Sequence, residues 1–118
     1  MSVYLDCNAT TPVRPEAAEA TARALALTGN PSSVHAAGRR ARAAIEAARE
    51  AVAALVGASP ASVTFTSGGT EANALAMESA VAAGCDRLLV LATEHDSVLE
   101  SARATGGVVE LWPVYGDG

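Results

Sequence analysis

The sequence contains no lysine, and all eight of its basic residues are arginines. Thirteen acidic residues outweigh them, so the formal net charge is -5. Nucleic acids and anionic membranes bind clustered positive charge. The basic cluster consists of Arg39, Arg40 and Arg42. The same predicted helix continues with Glu46, Arg49 and Glu50, and such a mixture of charges is typical of a solvated helix face. We therefore expect neither a nucleic acid nor a membrane as a partner.

Long apolar runs and a signal-like leader are also missing. The longest strongly apolar run, LLVLA, is far too short to cross a bilayer, and MSVYLDC lacks a basic leader with an apolar core. Two cysteines, Cys7 and Cys85, match no zinc or CxxC spacing and are too few for a disulfide framework. These features predict a cytoplasmic protein with reduced thiols and no metal site.

Aromatic side chains are scarce, with four among 118 residues, whereas 28 residues are alanine. The apolar volume per residue is therefore small, and we expect a thin core. The length suits one small domain with a single core, so any larger architecture would lie outside this sequence.

Residue patterns predict helices that alternate with buried strands, which is typical of an α/β fold with a largely parallel sheet. Strands are expected at SVTF, RLLVLAT and VVELW, the second of them buried on both faces. The expected helices run from Pro15 to about Leu27, from a cap at Ser32 or Ser33 to about Val56, from Thr70 to Ala83, and from a cap at Asp96 or Ser97 to about Ala104.

The stretch TSGGTEAN lies where the first of these strands gives way to a helix. A helix begins with unpaired N–H groups and a partly positive dipole end, so a glycine-permitted turn there can hold an anion. The amides of Gly69 and Thr70, with hydroxyls from Thr66, Ser67 or Thr70, would form such a cup. The spacing fits neither GxGxxG nor GxxxxGK[ST], and a plain structural turn fits these residues equally well.

Two further polar stretches hold the histidines. His95, in TEHDSVLE, follows the carboxyl end of a predicted strand, where open α/β sheets bind ligands, and could stack, shuttle a proton or bind metal. A hydrogen-bonded surface histidine is the commoner alternative. In GNPSSVHAAGRRAR, the polar groups of Asn30, Ser32, Ser33 and His35 suit helix capping or a pocket wall, and His35 has no acidic or cysteine partner at metal-ligand spacing.

Four blocks in order, YLDCNATTP, GNPSSVHAAGRRAR, VTFTSGGTEANALA and TEHDSVLE, closely resemble the N-terminal third of pyridoxal-phosphate-dependent cysteine desulfurases of the class V aminotransferase group. The resemblance implies that residues 1–118 are part of the large, PLP-binding domain of the aminotransferase-type (fold type I) fold, with no second domain. It also implies that Gly69 and Thr70 bind the phosphate of pyridoxal 5'-phosphate. His95 would stack on the pyridine ring and take part in acid–base steps.

The sequence departs from this family at its central group, because the lysine that bonds to the cofactor is missing. The aspartate for the pyridine nitrogen, the arginine for the substrate carboxylate and the sulfur-carrying cysteine normally lie further along the chain. Cys7 is not at the position of that cysteine, and Cys85 is expected to pack beside a strand. The 118 residues alone are therefore predicted to be inactive.

For the complete enzyme, the resemblance implies conversion of L-cysteine to L-alanine, with sulfur passed through an enzyme persulfide to iron–sulfur cluster or thiolation pathways. It also implies a homodimer and a sulfur-acceptor or scaffold protein as a partner. Two alternatives remain open: another class V enzyme, such as a selenocysteine lyase or a small aminotransferase, and a non-catalytic remnant that serves as an interaction module.

Overall fold

A computed structural model describes residues 3–116, which form four α-helices, one short 3₁₀ turn and two strands. The described chain divides into two compact units, the first ending at Val63 and the second beginning at Thr64. The elements of the first unit are α1 (Pro15–Leu25), α2 (Ala36–Val56) and the 3₁₀ turn Pro60–Ser62; those of the second are α3 (Gly69–Ala82), β1 (Arg87–Leu91), α4 (Asp96–Ala104) and β2 (Val108–Trp112).

Both helices of the first unit lie where the sequence predicts them, with small differences at their ends. Helix α1 begins at Pro15, with Glu16 in its first turn, and ends two residues before the predicted limit. Helix α2 ends at Val56, and its C-cap Gly57 has a φ of 66°, the left-handed conformation that glycine adopts most readily. The arginines Arg39, Arg40 and Arg42 are exposed, as the solvated-face interpretation predicts.

The predicted cap of α2 at Ser32 or Ser33 is wrong, because the N-cap is His35. The two serines belong to a turn organised by Asn30, whose side-chain oxygen accepts from the Ser32 amide and whose backbone carbonyl accepts from the Ser33 amide. The side chain of His35 then accepts from the amide of Gly38, one of the unpaired donors in the first helical turn.

Gly38 is buried in a close approach between this turn and the first turn of α2. A methyl group added there would lie 2.3 Å from the Ser33 carbonyl oxygen and 2.6 Å from that of Asn30. Because both neighbours are backbone atoms, the turn itself would have to move.

Gly38→Ala is therefore expected to destabilise the chain by about 1–3 kcal/mol, the usual cost of overpacking. Gly69→Ala is the matched control, because it adds the same methyl group to the first turn of α3 with no atom within 4 Å. The free energy of unfolding, from urea denaturation followed by circular dichroism, should fall only for Gly38→Ala. Equal stability of the two variants would contradict this packing.

The predicted SVTF strand is wrong for the described residues. Ser62 ends the 3₁₀ turn, and Val63 has extended backbone, but no strand of the described chain pairs with residues 63–65. A β-branched run favours extended backbone, whereas a strand also requires a neighbour that supplies its ladder of hydrogen bonds.

The second unit contains a two-stranded parallel sheet, in which Arg87 pairs with Val108 and the register continues to Leu91 opposite Trp112. Helix α4 connects the strands and packs on β1 and on α3. This arrangement confirms the predicted α/β class, and the other two strands and both helices lie within one or two residues of their predicted limits.

The core is thin, as the alanine-rich composition predicts. Among the described residues, the buried apolar side chains are Ala53, Val90 and Ala102. The prediction that RLLVLAT is buried on both faces is wrong here, because Leu89 and Leu91 are 56% and 45% exposed. Cys7 and Cys85 are both exposed free thiols, so Cys85 does not pack as expected.

None of the helices in residues 3–116 is both long and apolar enough to cross a lipid bilayer.

Candidate active site

The first turn of α3 presents unpaired backbone donors to solvent. Gly68 is the N-cap, and the first hydrogen bond of the helix runs from the Ala72 amide to the Gly68 carbonyl at 3.1 Å. The amides of Gly69 and Thr70 therefore have no partner within the helix. A methyl group built on Gly68 or Gly69 would meet no atom within 4 Å, so the space beside the turn is open.

Three hydroxyls flank this turn, but two already have partners. Thr66 donates to the Gly68 carbonyl at 3.2 Å, and Ser67 donates to the Glu71 carboxylate at 2.6 Å. No group within residues 3–116 pairs with the hydroxyl of Thr70. Of the three candidates that the sequence offers, Thr70 is therefore the one available to an incoming anion.

Glu71 stabilises the turn through hydrogen bonds to Ser67. Its carboxylate accepts from both the hydroxyl and the backbone amide of Ser67, each at 2.6 Å, in the manner of a capping box shifted by one residue. The hydroxyl of Ser67, and then its amide, hold the pKa of Glu71 below the ordinary value of 4.5, because both bonds favour the charged form.

Ser67→Ala is therefore expected to raise the pKa of Glu71 towards 4.5, since the larger of the two lowering causes is removed. The pKa is lower in the folded than in the unfolded chain, so this carboxylate stabilises the fold above pH 4.5, and that contribution is lost as the pH falls through the folded pKa. A carbon-13 titration of the Glu71 carboxyl group measures the change. An identical titration curve in the variant would show that the hydroxyl contributes nothing.

His95 lies at the other part of the candidate site, just past the carboxyl end of β1. It is the N-cap of α4, which corrects the predicted cap at Asp96 or Ser97. Its Nδ1 accepts from the Ser97 amide at 3.0 Å and lies 2.8 Å from the Ser97 hydroxyl. Because Nδ1 accepts a backbone N–H, the neutral imidazole carries its proton on Nε2. The ring is exposed, and no group within residues 3–116 bonds to Nε2.

Asn73 joins the two parts of the site. Its Nδ2 donates to the Ser97 hydroxyl at 2.9 Å, and both side chains are half-buried between α3 and α4. The structure thus connects the helix that begins with Gly69 and Thr70 to the imidazole of His95. Sequence reasoning missed Asn73 and assigned Ser97 only as a possible cap, because the two residues are 24 positions apart and no local pattern marks their contact.

The remaining candidates lie in the first unit. Asn30, Ser32 and Ser33 form the turn before α2, and His35 caps that helix, as the capping alternative predicts. Within residues 3–116, no group of three histidine, cysteine or acidic side chains could hold a metal ion.

Comparisons with known proteins agree on one family. Residues 3–118 match the family described as Aminotransferase class-V. A cysteine desulfurase of Cereibacter sphaeroides is 46% identical over 124 aligned positions, which cover 98% of this chain and 32% of that protein. An IscS-like cysteine desulfurase of Mycobacterium tuberculosis is 42% identical with the same coverage of both chains. Human selenocysteine lyase is 50% identical over 80 positions, covering 67% of this chain and 18% of that protein.

A solved structure of a NifS-like protein is similar to 97% of this chain, with a TM-score of 0.78 and 35% identity. The match covers 33% of that chain, so the present sequence spans about a third of its length, as it does for the two bacterial desulfurases. The similarity confirms the predicted fold, a partial type I domain with a parallel sheet flanked by helices. By sequence and by structure, the chain belongs to the class V aminotransferase family.

Proposed function

We propose that this chain is the cofactor-phosphate-binding part of a pyridoxal-phosphate-dependent cysteine desulfurase. The observation that carries the proposal is the hydrogen-bonded connection, through Asn73 and Ser97, between an open helix N-terminus at Gly69 and Thr70 and the exposed imidazole of His95. A cofactor with a phosphate tail and an aromatic ring can contact both the helix N-terminus and the imidazole only if the two lie within the length of the cofactor.

The residues at the start of α3 fit a phosphate group. A phosphate dianion gains from unpaired helix amides and from the positive end of the helix dipole. Gly69 and Thr70 supply such amides, and the unpaired hydroxyl of Thr70 adds a donor beside them. The Glu71 carboxylate, which would otherwise repel an anion, is bonded to the donors of Ser67.

His95 fits a flat, electron-poor ring. An aromatic side chain can stack on such a ring, and the Nε2–H of the neutral imidazole can donate a hydrogen bond to a bound substrate. Bound pyridoxal phosphate supplies an electron sink for the α-carbon of an amino-acid substrate. The chain's own contribution is to hold the phosphate, to support the ring, and to donate a hydrogen bond from Nε2 during the acid–base steps.

The proposed overall reaction converts L-cysteine and a protein thiol to L-alanine and a protein persulfide. The sulfur would then pass to an acceptor or scaffold protein in iron–sulfur cluster assembly or thiolation. The free thiols of Cys7 and Cys85 suit a reducing compartment such as the cytoplasm. A homodimer of the whole enzyme, with residues 1–118 in its large domain, is part of the proposal.

The test is to supply the intact protein, the polypeptide in which these 118 residues occur, with pyridoxal phosphate, L-cysteine and a thiol reductant. Alanine and sulfide are the expected products in equal amounts. Residues 1–118 alone should give no turnover, because they contain no lysine to bond to the cofactor. Alanine production by the 118 residues alone, or its absence with the intact protein, would contradict the proposal.

Selenocysteine lyase activity is the second candidate, favoured by the 50% identity to the human enzyme over 80 positions. The ratio of kcat/KM for L-selenocysteine to that for L-cysteine, measured on the intact protein, separates the two activities. A ratio far above one, with little alanine formed from L-cysteine, would replace the first candidate by the second.

A further inference from the structure

Three hydrogen bonds join the side chains of Asn73 and Ser97 to Nδ1 of His95. Asn73 Nδ2 lies 2.9 Å from Ser97 Oγ, Ser97 Oγ lies 2.8 Å from His95 Nδ1, and the Ser97 amide lies 3.0 Å from the same Nδ1. The three side chains therefore form one continuous relay from α3 to the imidazole.

The direction of the protons along this relay follows from the chemistry of its groups. The amide nitrogen of Asn73 can only donate, so Ser97 Oγ accepts there. The single hydroxyl proton of Ser97 is then available to donate to His95 Nδ1. Together with the Ser97 amide, it presents two donors to Nδ1 and excludes a proton from that atom. Both donors therefore favour the tautomer with its proton on Nε2.

We propose that Asn73 and Ser97 are positioning residues, which hold His95 in the Nε2–H tautomer and fix its imidazole relative to the first turn of α3. The tautomer itself follows from the hydrogen bonds, and only its role in catalysis rests on the proposed function. The neutral form protonated at Nε2 can donate a hydrogen bond to a bound substrate, and the relay couples that form to the helix that begins with Gly69 and Thr70.

The sharpest test is Asn73→Asp, which has nearly the same shape but replaces the donor with an acceptor. Ser97 would then donate to the new carboxylate and offer a lone pair to Nδ1. The ratio of Nε2–H to Nδ1–H imidazole is expected to fall at least about fivefold, the factor for one net hydrogen bond. Nitrogen-15 spectra of the histidine rings report this ratio directly in the intact protein without cofactor, at a pH where the ring is neutral.

A double substitution separates the relay from a simple charge effect. In a Ser97→Ala background the relay is broken, so adding Asn73→Asp should leave the ratio unchanged. A new carboxylate acting through space would shift the ratio in both backgrounds, and that result would overturn the inference. Ser97→Thr retains the hydroxyl and should restore the original ratio.

His35 provides a control within the same protein. It is also a helix N-cap whose Nδ1 accepts a backbone amide, that of Gly38 at 3.2 Å, but within residues 3–116 no hydroxyl bonds to its ring. Its tautomer ratio should not respond to any of these substitutions, and far-ultraviolet circular dichroism should show unchanged helix content. A parallel change at His35 would indicate general loosening of the fold and would overturn the inference.

The inference and the proposed function fail in different experiments. If the intact protein does not bind pyridoxal phosphate by absorbance titration, the proposed function fails while the tautomer measurement still decides the relay. If the cofactor binds and L-cysteine is converted, but Asn73→Asp leaves both the tautomer ratio and the pH profile of kcat unchanged, the relay alone is wrong.

Discussion

Substituting His95 with asparagine is expected to lower kcat for L-cysteine in the intact protein by about 10²- to 10⁴-fold, the usual contribution of a positioned acid–base group. Asparagine is the informative replacement because it is among the best N-cap residues, so it can keep the hydrogen bond to the α4 amide that His95 Nδ1 now accepts. The variant thus removes the ring and its Nε2–H while it preserves the start of the helix.

His35→Asn is the matched control for this experiment. His35 caps α2 with the same ring nitrogen, so both substitutions exchange a histidine cap for an asparagine cap. The control should leave kcat within about twofold of the original, since a cap change alone alters stability by roughly 1 kcal/mol. Comparable losses of kcat in both variants would show that His95 acts only through folding, and His95 would then be excluded as the acid–base group.

Much of the fold could be predicted because its signals are local. Pro15 and Gly57 mark helix ends by fixed backbone preferences, and alternating helices with apolar strands indicate a parallel α/β arrangement. The SVTF strand fails for a physical reason, because its formation depends on partner strands that no local pattern encodes. The exposure of Leu89 has the same origin, because the burial of a strand residue depends on which elements pack over that strand.

Residue preferences alone did not predict the N-cap residues of α2 and α4. Serine and aspartate are statistically better caps than histidine, yet His35 and His95 both occupy the N-cap position. Ser33 lies two residues before the cap, in a turn where its amide donates to the Asn30 carbonyl. Ser97 lies at the second position of α4, where its amide donates to the imidazole of the cap. Cap preferences rank residue types one at a time, whereas the residue that caps a helix depends on all the hydrogen bonds of its turn.

The sequence proposes residues for the candidate site but does not reveal how they are connected. Gly69, Thr70 and His95 stand in motifs that can be recognised in the sequence, and their cofactor roles remain predictions for experiment. The contact of Asn73 with Ser97 arises from the packing of α3 against α4. Likewise, the pairing of Thr66 and Ser67 with groups of their own turn could be found only from the structure.

The affinity for pyridoxal phosphate is expected to depend strongly on the hydroxyl of Thr70, which is unpaired among the described residues, whereas those of Thr66 and Ser67 are already bonded. Thr70→Val should weaken pyridoxal phosphate binding about ten- to hundredfold, because a hydrogen bond to a charged group contributes about 1.5–3 kcal/mol. Valine retains the β-branched shape, so only the hydroxyl is lost. The dissociation constant is measured by absorbance titration of the intact protein, with inorganic phosphate as a competitor that reports on the anion site alone.

Thr66→Val serves as the control for Thr70→Val, since it removes a hydroxyl already bonded within the turn. Its effect on cofactor affinity should be less than about threefold, below the factor for one neutral hydrogen bond. The phosphate competitor should lose affinity in the same proportion as the cofactor for Thr70→Val, because both would share the first turn of α3. If the two variants bind equally well, the phosphate lies elsewhere, and the open N-terminus of α3 is a structural turn like any other.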